Sequence, residues 1–432
     1  MPEEGSSALG LFQRYIANKN IFKNREVLRH TYRPSILPHR LPQINSIASI
    51  LAPALKRETP SNILIYGKTG TGKTASVRYV GSELEKAGRE IGHACRVIHL
   101  NCEVIDTQYR VLAQIANCLE EEEAGSEKMK SGIPFTGWPT DQVYSELKNQ
   151  LEASGGVLVI VLDEIDKLVK KSGDETLYNL TRINSELNSS RVSIIGISND
   201  LRFTDFLDPR VLSSLSEEEI VFPPYDANQL CDILRQRAED AFMENALEEG
   251  VIPLCAALAA QEHGDARRAL DLLRVAGELA DRENTEKVTE RHVKMAQDKI
   301  ETDSLIECVS TLPTQSKAVL YAMLLMKNAG RQVFTSGEVV QVYRDLAQTL
   351  DLDILTPRRI TDLISELNML GVVSTRVVSR GRYGRTKEIS MEGSMAQISE
   401  VLSKDRRFKE QSMMLPSINQ MKSVSQMKGF FR

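Results

Sequence analysis

The sequence predicts an α/β fold built on a parallel sheet, followed by an all-helical domain and a winged helix-turn-helix. Three observations carry this. An apolar strand, Ile63–Tyr66, runs into Gly67-Lys68-Thr69-Gly70-Thr71-Gly72-Lys73-Thr74, and a helical pattern follows from Ala75. A second apolar, β-branched run, Val157–Leu162, ends in Asp163-Glu164. Beyond Asp226 the strand-like runs stop, and they return only around an Arg- and Gly-rich turn near the C-terminus.

The α/β zone spans residues 20–224, after an arm (1–19) with no firm pattern. Strands are expected at Ile63–Tyr66, Val97–Leu100, Val157–Leu162 and Val192–Ile197. Their alternation with helical patterns implies parallel strands covered on both faces. Residues 225–302 read as helical: Asp226 is an N-cap, Leu230, Ile233 and Leu234 share a face, Ala266–Ala280 follows Gly264-Asp265, and a third helix begins near Thr289. In 303–395 two helical patterns lead to Thr356-Pro357, an N-cap and first-turn pair. Ile360, Leu363, Ile364, Leu367 and Leu370 then form an apolar face ended by Gly371. A strand (Val372–Val378), a basic turn and a second strand near Ile389 complete a wing. The tail, 396–432, shows no clear period from about residue 403.

At 432 residues, two to four domains are expected. With 41% hydrophobic and 26% charged residues the composition is that of a globular protein. No apolar run is long enough to span a membrane, and the N-terminus lacks a basic segment followed by an apolar core. No membrane partner is expected. The six cysteines are scattered without a CxxC pair and read as reduced thiols; the six dispersed histidines predict no zinc site. A net charge of −5 argues against a uniformly basic nucleic-acid coat but leaves local basic patches open. The acidic run Glu120–Glu123 reads as a solvated loop or helix end.

The glycine loop between strand and helix is a phosphate cradle. Its backbone N–H groups turn toward an anion, and the following helix presents its positive end to the same charge. Lys73 is expected to reach the β- and γ-phosphates of a nucleoside triphosphate, and Thr74 to ligate Mg²⁺. Asp163, at the carboxyl end of a core strand, would hold the Mg²⁺ shell, and Glu164 would polarise the attacking water. Asn199 ends the neighbouring strand, where a polar group can orient water; alone it reads equally as a turn residue. Arg210 is either an arginine finger for another subunit or a surface ion-pair partner. Arg267 opens a helix and could reach the γ-phosphate. Arg237 falls on the Leu230/Ile233/Leu234 face and wants a phosphate, or snorkels to solvent. Tyr225 could pack on adenine or simply fill a hinge.

Together these residues resemble the AAA+ ATPases: Walker A, Walker B, sensor 1 asparagine, arginine finger and sensor 2 arginine. More closely, the chain resembles archaeal replication initiators of the origin-recognition/cell-division-control family. The matching segments are Phe22–Leu28, Tyr32-Arg-Pro34, Leu37-Pro-His39-Arg40, Val161–Lys167, Pro224-Tyr-Asp226 and Gly264–Asp271, over roughly residues 20–395. The resemblance implies an AAA+ base, a helical lid and a winged-helix domain. It places His39 and Arg40 on the adenine side of the pocket, Arg267 at sensor 2 and Arg210 at the finger. It also aligns Ile133–Trp138 with a DNA-touching loop, in which Phe135 could wedge a minor groove or pack into the core.

The wing carries Arg376, Arg380, Arg382, Arg385 and Lys387 with no acid between 374 and 387, and Arg358 and Arg359 open the preceding helix. A Gly-rich basic turn suits a minor groove, and a helix start suits base edges or phosphates; a solvated hairpin is the plainer reading. The resemblance thus implies an ATP-dependent initiator whose ATP binding and slow hydrolysis act as a switch. Its cofactors would be ATP/ADP and Mg²⁺. Its partners would be double-stranded origin DNA, the replicative helicase and other copies or paralogues, in a cytoplasmic, nucleoid-associated setting. Alternatives are a winged-helix transcription regulator with an ATPase sensor and a clamp-loader-like ATPase.

Overall fold

The structure is a computed structural model that describes residues 21–408, apart from 33, 35, 124–131, 135, 380–384, 392–394 and 406. The chain divides into two compact units, residues 1–294 and 295–432.

The α/β part of the first unit runs α1 (Leu41–Leu51), β1 (Ile63–Tyr66), α2 (Lys73–Glu90), β2 (Cys95–Asn101), α3 (Gln108–Glu123), α4 (Thr140–Ser154), β3 (Gly156–Asp163), α5 (Ile165–Ser172), α6 (Glu175–Arg182), β4 (Ser190–Ser198), α7 (Pro209–Leu215) and β5 (Glu218–Val221). All strand pairs are parallel, in the order β2-β3-β4-β1-β5. The alternation along β3 explains why Val157–Leu162 carries no polar residue. Leu158, Ile160 and Leu162 enter the core that also holds α3–α7, while Val157, Val159 and Val161 enter the core with α1 and α2. The four expected strands are present; β1 has the expected bounds, and β2, β3 and β4 are longer than their apolar runs. β5 was missed because only Ile220 of its four side chains is buried.

The helical part comprises α8 (Ala227–Ala241), α9 (Val251–Gln261) and α10 (Ala266–Arg282), followed by α11 (Glu290–Thr311). Asp226 and Gln229 close a capping box at the start of α8, and the expected face Leu230, Ile233, Leu234 is buried. Helix α9 escaped sequence reading because it is apolar nearly all round and so lacks a one-sided period.

The assignment of residues from 20 onward to the α/β part needs correcting at its start. Residues 21–25 pack on the helical part: Lys23 N–H donates to Ala241 O (2.8 Å) and Met243 N–H to Ile21 O (2.9 Å). The Phe22 ring stacks on Phe242 at 4.8 Å, and Arg25 pairs with Asp281. The segment is too short to show a period, so nothing local told which part it joins.

The second unit is built on α12 (Thr314–Asn328), whose residues Ala318–Leu324 are all buried. Around it lie β6 (Val333–Thr335), α13 (Ser336–Thr349), α14 (Pro357–Met369), β7 (Ser374–Ser379), β8 (Arg385–Ser390) and α15 (Met395–Lys404). The wing is three-stranded and antiparallel, β6-β8-β7, not a two-stranded hairpin; β6 is only three residues long and gave no sequence signal. Ile360, Leu363, Ile364 and Leu367 are buried as expected, but Leu370 caps α14 and is 52% exposed. The core also passes the expected boundary at 395: Ile398, Val401 and Leu402 are buried, and the Phe408 ring meets Tyr321 at 5.4 Å. The arm 1–19 and the tail beyond 408 lie outside the described residues.

Candidate functional site

The glycine loop joins β1 to α2, and Gly72 caps α2 with φ +87°. Lys73 is the residue the loop closes around. Its Nζ donates to Gly67 O (2.7 Å), Lys68 O (2.7 Å) and Asn199 Oδ1 (2.8 Å). The side chain is nearly buried, and burial lowers its pKa to about 8; Arg267 adds to the depression and Asp163 opposes it. Lys68 and Thr69 form the exposed tip of the loop, and Thr71 Oγ1 donates back to Lys68 O (2.9 Å).

Asp163 ends β3, directly beside the loop, and Thr74 Oγ1 donates to its Oδ2 at 2.8 Å. These two oxygens are the hard donors a Mg²⁺ ion accepts, so the residues fit the ion expected there. Glu164 sits at the N-cap of α5 with φ 57° and ψ 43°, a conformation a non-glycine residue holds only when its surroundings impose it. Burial raises its carboxyl pKa, with Glu103 and Asp163 adding to the rise and Lys167 opposing it. The structure thus gathers Lys73, Thr74, Asp163, Glu164 and Asn199 at the carboxyl ends of β1, β3 and β4.

The helical part meets the loop through α10. Ala266 N–H donates to Gly70 O (3.2 Å), and Asp265 caps α10 by accepting from Arg267 N–H (2.7 Å). Arg267 is exposed at this helix start, close enough to bear on Lys73.

Arg40 is 2% exposed and ties the loop to the connection between the two parts. Its Nε donates to Thr71 O (2.8 Å) and its Nη2 to Pro223 O (2.6 Å). Its guanidinium lies 3.8 Å from the Tyr225 ring centroid and 5.5 Å from that of Phe222. Tyr225 thus stacks on an arginine at the connection between the two parts. His39 turns to α8, its Nε2 3.0 Å from Asp232 Oδ2. Arg237 finds an aromatic partner, with its guanidinium 4.6 Å from the Tyr32 ring. Arg210 stands apart on α7, 76% exposed and held by Asp208 at 3.0 Å. Sequence reasoning missed Asp265 and Glu103. The first had a signal, an Asp directly before a helix; the second, in a loop after β2, had none.

In the second unit, Thr356 and Pro357 start α14 as expected. Arg358 and Arg359 are exposed there, and Arg359 pairs with Glu366 (3.2 Å). Arg376 is exposed on β7. Lys387 points inward, its Nζ donating to Ser365 Oγ of α14 (2.7 Å), and so ties wing to helix. Arg385 lies on β8. Arg380, Arg382 and Phe135 lie outside the described residues; Trp138, close to Phe135 in sequence, is 37% exposed.

Comparison with known proteins places this geometry. A family model described as an AAA domain matches residues 56–202, one for the Cdc6 AAA+ ATPase-type lid domain matches 231–298, and one for the CDC6 C-terminal winged helix domain matches 307–401. An ORC1-type DNA replication protein of Methanoculleus marisnigri is 71% identical over 425 residues, covering 98% of this chain and 100% of that one. One from Methanoregula boonei is 72% identical over 408 residues, covering 94% and 95%. Among solved structures, the Aeropyrum pernix ORC1 protein in complex with DNA is 47% identical with a TM-score of 0.78, covering 91% of this chain and 99% of that one. The nucleotide loop, the helical part docked on it and the winged helix are therefore those of an AAA+ ATPase, and the chain belongs to the family of ORC1-type DNA replication proteins.

Proposed function

We propose that this chain is an ATP-switched replication initiator that binds double-stranded origin DNA and recruits the replicative helicase, with other copies or paralogues as further partners. The observation that carries the switch is the hydrogen bond from Ala266 to Gly70, 3.2 Å, backbone to backbone. A phosphate loop tied to the first residue of a lid helix cannot change its peptide geometry without moving that helix. A ligand that prefers one arrangement then shifts the population toward it.

Within the site, Lys73 supplies the charge for the β- and γ-phosphates. Thr74 and Asp163 would hold Mg²⁺, which when bound neutralises phosphate charge. Glu164, with its raised pKa, takes the proton of the attacking water, and Asn199 and Arg267 frame the γ-phosphate side. Arg210 is exposed, as a residue serving a second copy must be. For DNA, Arg358 and Arg376 are exposed cations on a winged helix, and the DNA complex of the Aeropyrum relative supports that reading.

The test is a footprint of the purified full-length chain on origin fragments with ATP, ADP or no nucleotide, followed by co-recruitment of the helicase. Protection at origins that changes with nucleotide, and helicase retention that depends on the chain, are expected. Footprints confined to promoters, with helicase loading indifferent to the protein, would favour the transcription-regulator alternative and overturn this reading.

A further inference from the structure

We propose that Asp166 is a positioning residue for ATP hydrolysis: it braces the tip of β4 against the turn that carries Glu164 and thereby sets Asn199. The inference rests on Asn199 and Glu164 acting as described above. It starts from a buried acid that the site does not otherwise use. Asp166 is 4% exposed, in the first turn of α5, two residues after Glu164. Carboxyls are rarely buried without partners. Its Oδ1 lies 3.2 Å from the hydroxyl of Ser198, itself fully buried, and its Oδ2 lies 3.7 Å from Lys170 Nζ.

Both neighbours of Asn199 connect to this acid, Ser198 directly and Asp200 through Ser198 and Lys170. Ser198 Oγ accepts the Asp200 N–H at 3.0 Å and lies 2.9 Å from Asp200 O. Its single proton can therefore serve either Asp166 or that carbonyl. Lys170 Nζ, one turn along α5, also donates to Asp200 Oδ2 at 2.9 Å. The strand tip Ser198-Asn199-Asp200 is thus clipped to α5 on either side of Asn199, whose Oδ1 accepts from Lys73.

The clip falls where the backbone stops helping. The β3–β4 ladder ends at the pair Asp163–Ile197, one residue before Glu164 and two before Asn199. Beyond that pair, side chains set the spacing between the water-polarising carboxyl and the amide beside Lys73. The Asp166–Ser198 bond is the short link across that gap. A misplacement of about 1 Å at such a point can cost about 100-fold in rate.

The experiment is a mutant cycle on the full-length chain, reading ATP affinity and single-turnover hydrolysis separately. Asp166→Ala should lower the hydrolysis rate roughly 10- to 100-fold while shifting ATP affinity less than about twofold. In an Asn199→Ala background the same change should cost nothing further, because the residue acts through Asn199. Asp166→Asn, which keeps an acceptor facing Ser198, should restore most of the rate. If Asp166→Ala does not fold, the exposed Lys170→Met carries the same cycle with a smaller loss. Equal losses in both backgrounds, or parallel losses of affinity and rate, would overturn the brace while leaving the site reading intact. If Asn199→Ala alone leaves hydrolysis unchanged, the role given to Asn199 falls and the brace with it.

Discussion

Ala266 donates its backbone N–H to the carbonyl of Gly70 at 3.2 Å, and Asp265 fills the space beside it so closely that a Cβ on Gly70 would stand 1.6 Å from Asp265 Oδ1. Gly70 also has φ +69°. Gly70→Ala should therefore lift α10 off the loop, weaken ATP binding at least about tenfold and speed amide exchange at the start of α10. Adding Asp265→Ala removes the overlap but leaves backbone strain of about 1 kcal/mol and removes the α10 cap at a cost of about 1 kcal/mol, so the double variant should recover only part of the affinity. Equal losses in the single and double variants would show that Asp265 does not set the spacing.

Lys73 gives the site a pH dependence. Its pKa is lowered from the ordinary 10.5 to about 8, chiefly by burial. A bound triphosphate favours the charged form. Below pH about 8 the lysine is already protonated and affinity should be flat. Above it, binding must take up a proton, and affinity should weaken by up to about tenfold per pH unit. The sign for folding is opposite: the unfolded chain holds the proton more tightly, so this group adds stability as pH rises from about 8 toward 10.5. Arg267 pushes Lys73 downward, so Arg267→Ala should move the break in affinity to higher pH; calorimetry across that range reads it.

Glu164 predicts an acid limb. Its pKa is raised by burial, then by Glu103 and Asp163. A base that protonates at higher pH loses activity earlier on acidification, so hydrolysis should fall at a higher pH than an unperturbed glutamate would set. Glu103→Gln removes one repelling charge and should move that limb to lower pH, with little change at neutral pH. Glu164→Gln should keep ATP binding and lower hydrolysis at least about 100-fold. A limb that ignores Glu103 would remove that residue from the site.

The legible parts of the chain were those where one local rule decides the outcome. A strand running into Gly67–Thr74 can hardly be anything but a phosphate loop, and β3 must be covered on both faces because Val157–Leu162 offers no polar side to water. Thr356-Pro357 fixed the start of α14 in the same way. What stayed hidden depends on distant partners. Nothing near Arg40 in sequence says that it will be buried between Thr71, Pro223 and Tyr225. Arg237 was expected to meet a phosphate or solvent, and its aromatic neighbour Tyr32 lies 205 positions earlier, counting 237 minus 32. Asp166 and Ser198 are ordinary residues until β3 and β4 are seen side by side.

The wing should be an electrostatic reader. Arg358 and Arg376 are exposed, whereas Arg359 and Lys387 are occupied by Glu366 and Ser365. Arg358→Ala and Arg376→Ala should each weaken DNA binding and reduce its log–log salt slope by about one. Lys387→Ala should act differently. It frees β8 from α14 and should lower the stability of the second unit along with DNA affinity. An unchanged salt slope in both arginine variants would remove this face from the interface.

The N-terminal segment should prove part of the lid's stability. Phe22 is buried, stacks on Phe242 at 4.8 Å, and approaches Gly277 of α10 so closely that a Cβ there would lie 2.4 Å from its ring. Phe22→Ala should cost about 3 kcal/mol, the expectation for a buried ring removed from a close-packed site. Gly277→Ala should cost about 1–3 kcal/mol by overfilling the same space. The two losses should add incompletely, because removing the Phe22 ring takes away the nearest contact to the methyl while Phe242 Cε1 stays 2.9 Å from it. Denaturant unfolding of the single and double variants measures this directly. Simple additivity would mean that the segment rests on the lid without being packed into it.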